Sequence, residues 1–332
     1  MREIKLKDIA DELGVSVVSV SNALSGKKGV SDALREKIIQ TAERLGYDIK
    51  KYEKREMSTV KIGVIVSEKY LEIGSSFYWA LYQQLVYVAS KKNGITLLEI
   101  VDESTLQKEK ISLLSEGNID GLIILGALET DFIEKIVKTS VIPVVLLDFY
   151  IQGLECDAVV SSNYIGMYKA TKYLLERGHR EIAFMGSIYA NDNIMDRYFG
   201  YRKAMLEQGI PIRSDWILKD RDILHNEMQL EIPKNMPTAF VCNCDLTASL
   251  LKQELERQGY CIPDDISIVG YDNYLYGDAF AEELTTYNVD MDKMAKKTLS
   301  LLWKRIKGMS SPFVIRYIDS NMIERKSVKS LL

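Results

Sequence analysis

The tightest constraint on this chain lies between Leu6 and Leu24, where two short apolar-periodic runs are separated by Gly14-Val15-Ser16. Gly14 can take the left-handed conformation that closes a helix, and Ser16 two residues later can cap the next one. A helix, a three-residue turn and a second helix are therefore expected. Ile9, Ala10, Leu13, Val15, Val20 and Leu24 fall at spacings that face one another across the turn, leaving Val17, Val18, Ser19 and Asn22 outward. A third helix is expected from Ser31, with Asp32 in its first turn, Leu34, Ile38, Ala42 and Leu45 on one face, and Gly46 as its stop. Three helices around one small core make a helix-turn-helix unit, and the outward residues of its second helix are placed to meet a DNA major groove.

From Val60 onward the pattern changes to alternating strands and helices. Val60–Ser67, Ile95–Val101, Gly121–Gly126 and Val144–Asp148 read as buried parallel strands, with helices around 75–92, 104–116 and 129–139. A second series follows: strands at Ala158–Ser162, Glu181–Ser187, Asp215–Lys219, Thr238–Asn243 and Ile266–Asp272, with helices around 163–177, 193–208 and 245–258. The fold class is α/β: a three-helix head followed by two Rossmann-like lobes of parallel sheet. Parallel sheets bind ligands beyond the carboxyl ends of their strands. Asp148, Asp245 and Asp272 end or follow such strands, and Arg197 lies after another. Carboxylates and a guanidinium around one cleft suit a polyhydroxylated ligand, with Tyr150 or Trp216 available to stack on a sugar face.

Charge and cysteine usage narrow the classes. Residues 1–59 hold 12 Lys/Arg against 10 Asp/Glu, and residues 60–332 hold 31 against 37. The head is thus only mildly basic, so nonspecific DNA affinity per subunit is modest and pairing of two heads gains importance. Cys156, Cys242, Cys244 and Cys261 lack disulfide or zinc spacing and read as buried or cleft-lining thiols; no metal and no cofactor are expected. No phosphate-binding glycine motif follows any strand, which argues against an enzyme. His179, in the turn Arg177-Gly178-His179-Arg180, is expected at the surface or as a cap. The start lacks an apolar export core and no run reaches a membrane span, so a cytoplasmic protein without membrane contact is expected. An exported sugar-binding protein would have a similar body but no helix-turn-helix.

The stretch Asp8-Ile9-Ala10, Leu13-Gly14-Val15-Ser16, Val18-Ser19-Val20-Ser21-Asn22, Val30-Ser31 and Leu45-Gly46-Tyr47 resembles the opening of the lactose-repressor/galactose-repressor (LacI/GalR) family of bacterial transcription factors, and the likeness runs to about Arg325. The resemblance implies a helix-turn-helix domain at 1–47, a hinge linker at 48–59, and a periplasmic-binding-protein-like core at 60–332. Three crossings, near Ser161, Val289 and Asp319, would divide that core into lobe one (about 60–160 and 290–318) and lobe two (about 161–289 and 320–328). It implies a repressor, allosterically controlled by a small ligand between the lobes, that pairs as a homodimer on pseudo-palindromic operator DNA. Asp148, Arg197, Asp245 and Asp272 match the family's cleft pattern, while Cys244 stands where Asn is usual. A sugar or sugar derivative is the expected effector; a protein or non-sugar co-repressor is the alternative.

The departures are informative. Asn22 replaces the usual Arg; Asn pairs best with adenine, so an A·T-containing half-site is expected, with Val17 and Val18 against thymine methyls. Ser16, Ser19 and Ser21 complete the expected contacts. In the linker, Ile49 replaces Pro and Glu56 stands where a minor-groove Leu is expected; Lys50 and Lys51 are expected on phosphates and Met57 as the wedge. The segment from Ser67 to Phe77 is about three residues longer than usual, and 223–237 is too proline-broken for the usual helix. The run Phe77–Ala89 is apolar on more than one face, as a helix packed on both its sheet and a partner would be. The tail from Ser327 to Leu332 is too short for a tetramer-forming leucine heptad.

Overall fold

A computed structural model describes residues 4–24, 30–47, 59–71, 76–102, 111–115, 117–222 and 227–332, which separate into two units, 1–60 and 61–332. In the first, α1 (Leu6–Leu13), α2 (Val17–Leu24) and α3 (Asp32–Leu45) surround Ile9, Val20, Ile38 and Ala42, all fully buried. The turn forms for local reasons. Gly14, at φ 63°, closes α1 by donating its N–H to the Ala10 carbonyl, and Ser16 Oγ accepts the Ser19 N–H at 3.0 Å. Ser31 caps α3 in the same manner through the Leu34 N–H, and Gly46, at φ 76°, ends it. Leu13 and Val15 pack at the edge of the core rather than inside it.

Among its described residues the body contains two six-stranded sheets. The first is ordered β11-β5-β4-β3-β1-β2, from β1 (Val60–Ser67), β2 (Gly94–Val101), β3 (Gly121–Leu125), β4 (Val144–Leu147), β5 (Asp157–Ser161) and β11 (Ile315–Ile318). The second is β12-β10-β9-β8-β6-β7, from β6 (Ile182–Met185), β7 (Ile217–Leu218), β8 (Ala239–Cys242), β9 (Ser267–Asp272), β10 (Thr285–Asn288) and β12 (Met322–Ile323). Neighbours pair in parallel across both sheets' interiors, and β12 runs antiparallel against β10. These interior strands are apolar on both faces because helices cover both. Among the described residues these helices are α4 (Phe77–Ser90), α5 (Thr130–Thr139), α6 (Asn163–Glu176), α7 (Asp192–Glu207), α8 (Asp245–Arg257) and α9 (Met291–Ile306). The chain leaves the first sheet after Ser161, returns after Asn288 to lay α9 against α4, β4 and β5, and leaves again after Ile318. Among the described residues no helix is long and apolar enough to cross a membrane.

Some sequence expectations need correction. The strand expected over Asp215–Lys219 shrinks to Ile217–Leu218, because Ser214–Trp216 turn as a short 3-10 helix with the Trp216 N–H on the Arg213 carbonyl. Of the helix expected over 104–116, the described part is a 3-10 turn at Ser112–Leu114; the rest lies outside the described residues. His179 is not at the surface but fully buried, with Nδ1 3.0 Å from Thr238 Oγ1 and Nε2 3.1 Å from the Lys329 carbonyl. Its ring ties the C-terminal tail to the second lobe, which explains what that short tail does: Ser327 is buried against Ile268 and the Leu331 N–H bonds the Arg177 carbonyl. Cys156 and Cys242 are buried and Cys244 is half-buried, but Cys261 is exposed.

Candidate DNA-reading face and effector cleft

On the head, α2 presents Val17 and Val18, 39% and 56% exposed, while Val20, Ala23 and Leu24 point into the core. Ser19 and Asn22 are half-buried along the same helix, with Ser16 Oγ 2.9 Å from Ser19 Oγ at its start. Two exposed valines at the start of a helix otherwise polar on its outer side form an apolar contact suited to thymine methyls, as in major-groove recognition. Ser21 lies on this helix as well. Lys50, Lys51 and Met57, with Ile49 and Glu56, fall outside the described residues.

The body's candidate site follows from strand order. In each sheet the order reverses between the first strand and its inner neighbour, β1/β3 in one and β6/β8 in the other, and the crevice beyond such a reversal is where a parallel sheet receives ligands. On the first sheet this places Tyr70 after β1, Gly126 after β3 and Asp148 after β4. Gly126, at φ 75°, has no room for a side chain: a Cβ there would sit 2.8 Å from the Tyr70 ring and 2.9 Å from Tyr78. On the second sheet it places Ser187 after β6, Asp220 and Arg221 after β7, Asn243 after β8 and Asp272 at the end of β9.

Asp148 is the centre of the first set. It adopts φ 69°, a left-handed backbone that non-glycine residues seldom take, and is 3% exposed. Its Oδ2 accepts from the Tyr78 hydroxyl at 2.9 Å and from Asn193 Nδ2 at 3.1 Å, while its Oδ1 is buried with no partner. Burial pushes its carboxyl up to about 6, against the opposing pull of Arg197 and of its two hydrogen bonds. Arg197, in α7 and 6% exposed, donates from Nε to Asn163 Oδ1 at 2.8 Å and from a terminal nitrogen to the Asn243 carbonyl at 2.5 Å. Its guanidinium lies 3.9 Å over the Tyr271 ring and 3.5 Å from Asp272. Asp272, at φ 113°, is raised to about 7 by burial; Arg197 pulls it down and Asp148 pushes it up.

Asp220 anchors the opposite wall. It is fully buried and accepts from the Ser187 N–H, Asn243 Nδ2, Thr247 Oγ1 and Arg221. Burial raises its carboxyl, but the Arg221 hydrogen bond and charge, with Thr247 and Ser187, outweigh that and hold it at about 2. It is an ionised brace that orients Arg221, whose guanidinium reaches to 4.0 Å from Cys244 Sγ.

The structure divides the sequence-expected effector residues. Asp148, Arg197, Asp272 and Cys244 belong to one connected environment. Asp245 has a protein donor on each oxygen, the Thr286 hydroxyl on Oδ1 at 2.6 Å and the Tyr274 N–H on Oδ2 at 2.8 Å, so it braces the loop after β9. Trp216 is not a stacking platform. It precedes β7, at the end of the sheet away from the cleft, is 4% exposed within the second lobe's core, and donates Nε1–H to the Asn235 carbonyl. Tyr150 sits two residues past Asp148 but turns toward Tyr317, ring centroids 6.3 Å apart, and packs on the first lobe's core.

Sequence reasoning missed Tyr78, Asn163, Asn193, Asp220, Arg221 and Asn243. The rule of inspecting strand ends would have found the last three. Tyr78, Asn163 and Asn193 stand in the first turns of helices, and nothing in their local sequence marks them. Among the described residues no cluster of His, Cys, Asp or Glu is arranged to hold a metal ion.

Comparison with known proteins bears on both parts. The family described as bacterial regulatory proteins, lacI family, matches residues 5–48, and a periplasmic binding protein-like domain matches residues 171–328. The HTH-type transcriptional repressor PurR of Vibrio parahaemolyticus is 28% identical over 336 residues, spanning 98% of this chain and 99% of its own. Two solved structures share the fold: the transcriptional regulator CelR in complex with cellobiose (TM-score 0.69, 22% identity, 98% of this chain and 99% of that one) and the lac repressor dimer bound to operator and the anti-inducer ONPF (0.67, 20%, 99% and 100%). Similarity that begins in the reading head and continues to the last strand of the body leaves one placement: the chain is a regulator of the LacI/GalR family, with a lacI-family head and a periplasmic binding protein-like body.

Proposed function

We propose that this regulator is a transcriptional repressor whose head binds DNA and whose body binds an effector, and that the effector is a neutral polyhydroxylated molecule, a sugar or sugar derivative, held between the two lobes by Asp148, Arg197 and Asp272. The observation that carries this reading is Asp148: a buried carboxylate in a left-handed backbone with one oxygen lacking a donor. A buried carboxylate oxygen without a donor is costly, and a ligand hydroxyl supplies one. The charge balance argues for neutrality. Arg221 is already paired with Asp220 and Arg197 lies beside Asp272, with Asp148 close by, so among the described residues the cleft offers a phosphorylated ligand no unpaired positive charge.

In this reading residues 1–47 are the reading head, 48–59 the hinge linker and 60–332 the effector-binding and dimerising body. The lobes, about 60–160 with 290–318 and about 161–289 with 320–328, rotate about the three crossings and so bias the spacing of two heads on a pseudo-palindromic operator. Such coupling amounts to about 1 to 3 kcal/mol. The homodimer is supported by an apolar face: Trp79, Val86 and Tyr87 on α4 and Ile95, Leu97 and Ile100 on the edge strand β2 are 37–54% exposed.

Thermal melting of the full chain with neutral monosaccharides and disaccharides, and with their phosphates, tests the ligand class. A neutral sugar is expected to raise the melting temperature and alter operator retention, while phosphates leave both unchanged. A response to phosphates alone, or to no sugar at all, sinks the reading. Sedimentation of Tyr87→Glu tests the dimer face; a variant that still pairs as the wild type does would exclude it.

A further inference from the structure

We propose that Tyr78 and Asn193 are specificity-determining residues of the effector cleft: together they occupy one oxygen of Asp148 from both lobes, leaving only the other oxygen to read the ligand. This rests on the placement of the effector at Asp148 proposed above.

An ionised carboxylate has two oxygens and roughly four acceptor sites, and it can hold a vicinal diol by taking one hydroxyl on each oxygen. In this chain Oδ2 is already filled. The Tyr78 hydroxyl, from the first turn of α4 in lobe one, donates to it at 2.9 Å. Asn193 Nδ2, from the first turn of α7 in lobe two, donates to it at 3.1 Å and to the Asp148 backbone carbonyl at 2.8 Å. Oδ1 is buried and has no donor.

Both donors are themselves held. The Tyr78 ring packs on Tyr70, centroids 4.4 Å apart, over Gly126, where no side chain fits. Asn193 Oδ1 accepts from Asn163 Nδ2 at 2.8 Å, and Asn163 Oδ1 accepts from Arg197 Nε at 2.8 Å. That chain fixes the amide so that its nitrogen faces Asp148. It also joins Asp148 of lobe one to Arg197 of lobe two through two asparagines, so the same contacts that set the ligand's geometry clasp the lobes together.

A ligand at Asp148 therefore presents its donors to one oxygen, and a diol spanning both oxygens competes with the Tyr78 hydroxyl. Removing that hydroxyl frees the second oxygen and adds a ligand contact the wild type lacks.

The test uses the full chain, its Tyr78→Phe and Asn193→Ala variants, and ribose, glucose and cellobiose with their monodeoxy analogues. In the wild type one hydroxyl is expected to matter at Asp148. In Tyr78→Phe a second, vicinal hydroxyl is expected to become important, its removal weakening binding by about tenfold or more, as a hydrogen bond to a charged group does. A folded Tyr78→Phe protein with the wild-type deoxy profile overturns the proposal. The clasp has a readout that needs no ligand: amide hydrogen exchange over residues 148–152 and 191–196. Asn193→Ala is expected to lose protection in both segments together, about tenfold or more, and unchanged exchange overturns the proposal. Should no sugar bind the wild type, the sugar reading fails separately, and the exchange result alone decides the clasp.

Discussion

Among the described residues the reading head draws its core from residues 6–47, whereas the effector cleft takes Tyr78, Asp148, Asn193, Arg197, Asn243 and Asp272 from segments far apart in the chain. The head is held by apolar burial and by two caps, Ser16 and Ser31, each acting on a residue three places on. The cleft is held by buried polar groups whose partners arrive from other elements. Apolar burial is non-directional, so it tolerates small shifts; a buried carboxylate demands a donor at a given atom. The head is thus a local object, and the cleft exists only when both sheets have formed.

The sharpest way to break this comparison is to unpack the head alone. Ile9→Ala empties a fully buried position and is expected to cost about 2 to 5 kcal/mol, a large share of what so small a core supplies. Operator binding should be lost while the calorimetric transition of the body stays in place. A body that melts earlier in the variant refutes the independence of the two units.

A pH series tests the cleft next. Asp148 and Asp272 are raised from 3.8 to about 6 and about 7. A carboxyl raised on folding contributes stability that is complete below its unfolded value and lost as pH climbs through the folded one. Melting temperature is therefore expected to fall as pH rises from about 4 to about 7, by on the order of 5 °C, and the Asp148→Asn, Asp272→Asn double variant should flatten that slope. Asp220 works in the opposite sense: held at about 2, it contributes stability above 3.8 that is lost as pH falls toward 2.

Base preference gives a smaller effect. Asn22→Arg is expected to move the preferred base from A·T toward G·C, worth about 1 to 3 kcal/mol of discrimination, as read by selection from a random DNA pool. An unchanged preference places Asn22 on the backbone. Smallest is Trp216→Phe, which removes the donor to Asn235 and should lower stability by about 0.5 to 1.5 kcal/mol while leaving sugar affinity alone. Altered affinity would return Trp216 to the cleft.

The same contrast explains what was legible. The head's helices were readable because glycine stops, serine caps and apolar spacing all act within a few residues. The body's strands were readable for a related reason: runs such as Val144–Leu147 are apolar throughout because both faces are covered. Asp148, Arg197 and Asp272 were singled out because ligands gather beyond strand ends, a rule of topology rather than of local sequence. That rule also admitted Asp245, which the fold spends on Thr286 and the loop after β9. Trp216 was misplaced because nothing local separates a tryptophan entering a strand at the far end of a sheet from one leaving it at the cleft.

By itself, the order of residues determined a DNA-reading head, two parallel-sheet lobes and the acids at their strand ends, since each follows from spacing and chain direction. Only the tertiary structure decided which of those acids keeps a free oxygen. The donors that reach both oxygens of Asp245 and only one of Asp148 come from α4, α7, β10 and the loop after β9, and their arrival depends on how separately formed elements pack, which no local pattern encodes.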